Sequence, residues 1–361
     1  MLFDELKERT CTDRTLIKKT NYEFLDQSSL DEHAQIRKLL NLCFLNINQS
    51  SKNEIKSRVQ SSLESVFHAV CFELIVGHLF KTLGCSLEEH PEILGTEKHP
   101  DFLVTLQSGE QFYLELVTID EYDDSSIEEF EIFIKKLRNE KYFTHIREMS
   151  GRKINHNDNM KLRKLISGWW HKNNTSIVSP VTFENESKDF KVELEISPIG
   201  AFAISSSISS VRFHSQLLEK LKKKANRYGE LNLPYIIATT FRPSRHSVVL
   251  QFMQRLIVDT LYGGSKIYNL EKSKLEPIRS LWNVDREEVT YSNVSAVLFF
   301  DELTVMRALK PFKYCLFLNH FSKKPVYDGL TDFFAMFYTD GINEYSRDGY
   351  NLSEILKGTL A

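Results

Sequence analysis

The chain has 361 residues, a formal net charge of −3 and 42% hydrophobic residues. This apolar content is enough for the core of one large domain or two smaller ones, and the near-neutral charge does not by itself mark the chain as a nucleic-acid binder. Because no run reaches about 18 apolar residues and no basic start precedes an apolar segment, we expect a cytoplasmic protein without a membrane span.

The five cysteines indicate a reducing compartment. Their number is odd, and none has the C-x-x-C or Cys/His spacing of a zinc site. Cys43, Cys71 and Cys85 lie in apolar contexts, so we expect them in the core.

The N-terminal part of the chain is predicted to be helical. Residues 1–53 form a helical lead-in, in which the apolar face from Ile36 to Phe44 predicts one helix. A longer helix is predicted from about Glu54 to Leu83. Its second half is apolar around the whole circumference except for one acid, Glu73, and this pattern is typical of a buried helix.

Two acids interrupt a predicted hairpin. The segments His99–Leu106 and Gln111–Thr118 are rich in β-branched and aromatic residues and are separated by a turn. Asp101 and Glu115 lie within these apolar runs. A buried carboxylate loses hydration worth several kcal/mol unless a cation, a metal or several N–H donors replace it. Together with Glu73, the two acids predict a shared cation.

Charge is segregated in the middle of the chain. Residues 120–131 contain seven acids and no base, whereas residues 135–172 contain eleven Lys or Arg against three acids. We predict a basic helix from about Ile127 to Met149 and a second one ending at Trp169-Trp170, which together form an insertion at about 123–189. Basic segments are compatible with phosphate contacts, and solvated helix faces explain them equally well.

The rest of the chain alternates between helices and strands. A helix with six bases against one acid between Arg212 and Arg227 precedes the buried strand Pro234–Phe241, and another helix is predicted from Val248 to Tyr262. The remaining predicted strands are Cys85–His90, Phe190–Ile196, Ala201–Ser206, Val294–Phe300 and Lys313–Asn319. We therefore predict a core over residues 54–243 and an α/β extension over residues 244–361 that packs on the core.

The acids resemble those of the PD-(D/E)xK nuclease superfamily, the fold of many restriction endonucleases. The likeness rests on Glu73 in the first core helix, on Pro100-Asp101 at the start of one strand and on Glu115 in the next. Over about residues 22–330 the chain also resembles a group of bacterial proteins. The resemblance rests on phrases like Phe72-Glu73-Leu74, His90-Pro91-Glu92, Pro100 to Val104, Phe112 to Glu115, a Lys-rich helix before PYIIA, and SNVSAVLFF. The resemblance implies an α/β fold with a restriction-endonuclease-like mixed sheet flanked by helices around a nuclease-like core.

The resemblance also implies a phosphodiesterase that depends on Mg²⁺ or Mn²⁺. Asp101 and Glu115 would hold the principal ion with the backbone carbonyl of Leu116, and Glu73 would bind a second ion or orient its water. Phosphodiester hydrolysis needs an activated water, a neutralised phosphate and a stabilised leaving oxygen, and hard cations on carboxylates supply all three. The expected activity is a DNA endonuclease, with restriction and phage defence as common contexts of such proteins.

Val117 departs from the superfamily pattern, which has a lysine two residues after the strand acid. An apolar side chain can neither polarise the attacking water nor balance transition-state charge. Lys224 is the first candidate for this role, because its spacing from Leu217 and Leu221 turns it toward the inward side of its helix. Lys98, beside the other strand acid, is the second candidate.

Two functions stay open. One is a metal-dependent nuclease acting on DNA, with the basic insertion and the Lys-rich helix against the nucleic-acid backbone. The other is a catalytically impaired, nuclease-like subunit that binds nucleic acid or a partner, and Val117 keeps this alternative open. The sequence leaves open whether the chain forms a homodimer or works with a partner protein of a defence system.

Overall fold

A computed structural model of the chain contains two compact units. The first comprises Met1–Ile119, His214–Pro243 and Phe252–Ala361, and the second comprises Asp120–Phe213 and Ser244–Gln251. The structure describes residues 1–12, 20–120, 130, 133–134, 136–150, 154, 156–186, 188, 190–198, 208–242, 253–263, 266–269, 274–277, 280–282, 290–339 and 343–360.

The regular elements alternate between helices and strands along the chain. The helices are α1 (Asn21–Gln27), α2 (Asp31–Leu45), α3 (Lys52–Val59), α4 (Glu64–Thr82), α5 (His156–Asn173), α6 (Ile208–Ala225), α7 (Met253–Tyr262), α8 (Asp328–Thr331) and α9 (Leu352–Gly358). The strands are β1 (Ser86–Glu89), β2 (Phe102–Thr105), β3 (Gln111–Asp120), β4 (Tyr142–Ser150), β5 (Val178–Glu184), β6 (Lys191–Pro198), β7 (Tyr235–Arg242), β8 (Lys266–Asn269), β9 (Lys274–Pro277), β10 (Ala296–Phe300), β11 (Tyr314–Leu318), β12 (Met336–Thr339) and β13 (Glu344–Arg347).

The first unit is built on a sheet with the strand order β1-β2-β3-β7-β10-β11-β12-β13. The sheet is mixed, because β10 runs parallel to β7 and antiparallel to β11. Helices flank it, so the predicted α/β class with a large mixed sheet is confirmed. The strands expected near residues 294–300 and 313–319 extend this sheet as predicted. Sequence patterns did not predict the two strands beyond them, β12 and β13.

Helix α4 is the central helix of the first unit. Its residues from Phe67 to Phe80 are buried except Ala69, in a core cluster that also includes β2 and β3. Gly77 allows close packing, since a Cβ atom there would lie 3.3 Å from the Phe102 ring. Length and composition would let α4 cross a membrane, but 72% of its apolar window is buried inside the protein. It is therefore a core helix, as the pattern around Glu73 predicted.

The predicted helix from Glu54 to Leu83 is wrong as one element. It is divided into α3 and α4 by residues 60–63. The Ser61 hydroxyl accepts a hydrogen bond from the Leu63 N–H at 3.1 Å, a local bond that competes with helix continuation. The break turns the chain so that α3 packs beside α4, and Arg58 reaches Glu73.

The second unit contains an antiparallel sheet of order β4-β6-β5 and the helix α5. The predicted helix from Ile127 to Met149 is wrong over Tyr142–Met149, which lies in β4. Pairing with β6 outweighs the helix propensity of its charged residues, as in the pair Ile146 opposite Leu194. The second predicted basic helix is confirmed as α5. Its two tryptophans pack against the unit, with Trp170 buried and Trp169 edge-on to Phe183.

Several predictions concern residues outside the described part of the chain. They are most of the acidic stretch at 120–131, the strand expected at Ala201–Ser206 and the first residues of the helix expected from Val248. The cysteine prediction is confirmed, because Cys43, Cys71 and Cys85 are buried with free thiols.

Candidate active site

Asp101 and Glu115 meet at one end of the β2–β3 hairpin. The strands are antiparallel, and Phe102 lies opposite Leu114. Asp101 and Glu115 therefore follow one residue beyond the last registered pair. The Leu116 N–H donates a hydrogen bond of 2.6 Å to Asp101 Oδ2, which fixes the aspartate beside the second strand.

Alternation along β3 decides where Glu115 points. Phe112, Leu114 and Leu116 belong to the core cluster that contains α4. Successive side chains of a strand point to opposite faces, so Glu115 lies on the other face. There it contacts residues at the C-terminal end of α6. Val117 is two residues further along the strand and shares the face of Glu115.

Three residues from one stretch at the end of α6 bind the Glu115 carboxylate. Lys224 Nζ and Arg227 Nη1 both donate to Oε1, the latter at 3.0 Å. The Tyr228 hydroxyl has two acceptors, Glu115 Oε2 and the His99 carbonyl oxygen at 2.8 Å. Its single proton can serve only one of them, and an ionised carboxylate is the stronger acceptor.

This environment replaces the hydration that Glu115 loses. The glutamate is 0% exposed, which an ionised carboxylate tolerates only with close counter-charges. We call Lys224, Arg227 and Tyr228 the Glu115 clamp. Burial, followed by the negative charge of Glu115, raises the pKa of the Tyr228 hydroxyl, so this group stays protonated as a donor.

The negative charge of Asp101 is balanced less well by protein cations and hydrogen-bond donors than the charge of Glu115. Burial and, next, repulsion from Glu115 raise its pKa to about 7, against the lowering effects of Lys224 and the Leu116 N–H. Glu73 adds a smaller repulsion. Asp101 is therefore a partly buried carboxyl whose ionisation is opposed by two neighbouring acids, and a further positive charge beside it would be stabilising.

Glu73 has its own counter-charge. Arg58 Nη2 lies 2.9 Å from Glu73 Oε2. Burial raises the pKa of Glu73, and the attraction of Arg58 opposes this shift. Glu73 thus lies in a helix that is otherwise apolar and buried, with one guanidinium in front of it.

Several of the residues described above line one cleft of about 280 Å³. Its charged lining residues are Glu73, Asp101, Lys224 and Arg58. Leu116 and Val117 also line it. The structure therefore brings the helix acid, the first strand acid and Lys224 together, while Glu115 lies buried behind Lys224.

The donor chemistry of the cleft suits a hard divalent cation, because carboxylates are the ligands that Mg²⁺ and Mn²⁺ prefer. The present geometry is not a complete metal site. Within the described ranges, no three His, Cys, Asp or Glu side chains lie close enough together to hold an ion. The expectation that three carboxyls converge on one point is therefore not met among the described residues. Glu73 and Asp101 line the same cleft, but Glu115 does not line it and acts on Asp101 only through its charge. Glu115 would have to exchange part of its clamp for an ion.

Sequence reasoning missed three of the charged or polar partners. Arg58 reaches Glu73 because of the helix break at residues 60–63, which the sequence patterns did not predict. Arg227 and Tyr228 lie three and four residues after Lys224, the spacing of one helix face, and this signal could have identified them. The second lysine candidate, Lys98, is exposed and does not line the cleft.

Comparisons of the chain with protein-family models, with curated proteins and with solved structures found no match.

Proposed function

We propose that this protein is a metal-dependent phosphodiesterase that acts on DNA in the cytoplasm, with a restriction-endonuclease-like core in its first unit. One observation carries the proposal. Lys224 lies beside Glu115 and in the same cleft as Asp101 and Val117. This position supports the use of its ammonium group in the role of the superfamily lysine.

The proposed roles are those that the superfamily resemblance implies, and Glu73, Asp101 and Lys224 lie in one cleft as these roles require. Asp101 and Glu115 would hold Mg²⁺ or Mn²⁺ with the carbonyl of Leu116, and Glu73 would hold a second ion or a water. The bound ion would activate a water and neutralise phosphate charge. Lys224 supplies a fixed positive charge for the negative charge that develops on the phosphoryl oxygens.

The second unit has a basic helix of its own. On α5, Lys161, Lys164 and Lys172 are exposed, while Leu162 and Ile166 of the same helix are buried. Lys161 pairs with Glu186 at 2.6 Å. Exposed lysines on one helix suit contacts to phosphates, which contribute affinity without sequence specificity.

The substitution Lys224→Met tests the assignment of the lysine. We expect it to lower cleavage of a plasmid in Mg²⁺ or Mn²⁺ by roughly 10²–10³-fold, the usual effect of removing one group that stabilises transition-state charge. The matched control is Lys223→Met, because Lys223 is exposed on the same helix turn. Equal activity of the two variants would remove Lys224 from the mechanism.

A second function is favoured by the charge balance of the cleft. Glu73 and Glu115 each have a protein cation, and no preformed group of three metal ligands occurs among the residues that the structure covers. A nuclease-like subunit that binds nucleic acid or a partner without hydrolysis would have these properties. It would bind DNA in a salt-dependent way and leave every strand intact in Mg²⁺, Mn²⁺ and Ca²⁺.

A further inference from the structure

Arg58 is a cation of the cleft that neither the sequence motif nor the roles above use. It lies in the last turn of α3, and its side chain is 30% exposed. Its Nη2 lies 2.9 Å from Glu73 Oε2, and its Nη1 is 3.7 Å from Glu54 Oε1. The guanidinium therefore faces the cleft with only one close carboxylate partner among the described residues.

The two cations of the cleft differ in how firmly they are held. Lys224 binds Glu115, which is fully buried, so water cannot take the place of Lys224 as the partner of this carboxylate. Arg58 binds Glu73 at the wall of the cleft. A guanidinium has five N–H donors in a planar fork that matches two phosphate oxygens as well as it matches a carboxylate, so a phosphodiester can take the place of Glu73 as its partner.

We infer that Arg58 is a phosphate-binding residue, which on substrate binding exchanges the carboxylate of Glu73 for a phosphate of the nucleic acid. The exchange leaves Glu73 without its protein cation, in the cleft where a divalent ion is proposed. Arg58 thus couples occupation of the cleft by nucleic acid to the availability of Glu73. This inference rests on the proposed nucleic-acid function.

Binding without metal tests the inference separately from hydrolysis. A labelled DNA oligonucleotide is titrated in EDTA at several salt concentrations. We expect Arg58→Gln to weaken binding by about tenfold and to reduce the slope of log K against log salt by roughly 0.7–0.9, the value for one lost phosphate contact. Arg58→Lys, which keeps the charge and loses the fork, is expected to lie between Arg58→Gln and wild type.

Glu73→Gln should act in the opposite direction. It removes the carboxylate that competes for Arg58, so we expect tighter DNA binding without metal. The matched control is Arg307→Gln, because Arg307 pairs with another buried acid, Glu302, and neither residue lines the cleft. We expect the control to leave affinity and salt slope unchanged, and urea unfolding of each variant shows whether it is folded.

Each outcome decides the inference. Equal binding by Arg58→Gln and Arg307→Gln would overturn it, as would weaker binding by Glu73→Gln, which would indicate a purely structural ion pair. If Arg58 matters for binding but wild type cleaves no DNA with any metal, the inference holds and the proposed hydrolysis fails. If wild type cleaves and Arg58→Gln binds normally, the hydrolysis holds and the inference fails.

Discussion

The Asp101→Asn variant is expected to be more stable than wild type at pH 8 and to have lost phosphodiester cleavage. Asparagine is nearly isosteric with aspartate and can still accept the hydrogen bond from Leu116. It removes the charge that burial and Glu115 make costly. Activity and stability should therefore change in opposite directions, as is common where a site needs a strained charge.

The sign and size of the stability effect follow from the Asp101 pKa. In the folded protein it is about 7, against 3.8 for an unperturbed aspartate. At pH values between these two pKa values, Asp101 holds a proton in the folded state that it has released in the unfolded state. The stabilising contribution of Asp101 to the free energy of unfolding is thus fully present below about pH 4. It is lost as the pH rises through about 7, and it changes no further at higher pH. At about 1.4 kcal/mol per pKa unit, the upper limit is about 4 kcal/mol.

Urea unfolding of both proteins at pH 5 and pH 8 measures this effect. Other groups titrate in both chains, so the difference between the two proteins isolates Asp101. We expect the advantage of Asp101→Asn to be larger at pH 8 than at pH 5. A constant difference, or a wild type that gains on the variant with rising pH, would show that Asp101 is ionised at low cost.

Glu115→Ala is expected to destabilise the first unit by roughly 3–5 kcal/mol, the usual cost of removing one partner from a buried ion pair. The substitution leaves Lys224, 19% exposed, and the Tyr228 hydroxyl facing the space of the lost carboxylate. Glu115→Gln keeps an acceptor for Tyr228 and should cost less. Denaturant unfolding at pH 7 measures both variants.

The control for this prediction is an ion pair at the surface. Glu230 and Lys323 lie 3.2 Å apart, with both side chains largely exposed. Exposed pairs contribute about 0–1 kcal/mol, so Glu230→Ala should change stability by less than about 1 kcal/mol. Equal losses for Glu115→Ala and Glu230→Ala would mean that the Glu115 clamp contributes no more than a surface pair.

Much of the first unit could be predicted from local sequence. Runs such as Ala296–Phe300 are apolar over the length of a strand, and α4 is apolar on all its faces. The sequence of each element alone therefore predicts that the element is buried. Glu73, Asp101 and Glu115 stood out because each was an acid in an apolar run. Lys224 was placed correctly in the cleft because its spacing from Leu217 and Leu221 already fixed its side of the helix.

Other features depend on partners that are distant in sequence. Tyr142–Ser150 has charged residues compatible with a helix, and only pairing with β6 makes it a strand. Arg58 approaches Glu73 because the chain turns at residues 60–63, and a pair of serines gives a weak signal for such a turn. The Glu115 clamp forms between residues more than 100 positions apart, so its protein cations could not be distinguished in advance from a metal.

The most direct test of the account is calorimetric titration of Mn²⁺ into wild type and Asp101→Asn at pH 6 and pH 8. The measurement is made in buffers of different ionisation enthalpy, so that it also counts the protons released. Because the pKa of Asp101 is about 7, we predict binding that releases close to one proton at pH 6 and almost none at pH 8, and that is lost in the variant. Absence of binding in wild type, or equal binding in Asp101→Asn, would contradict a metal site at Asp101.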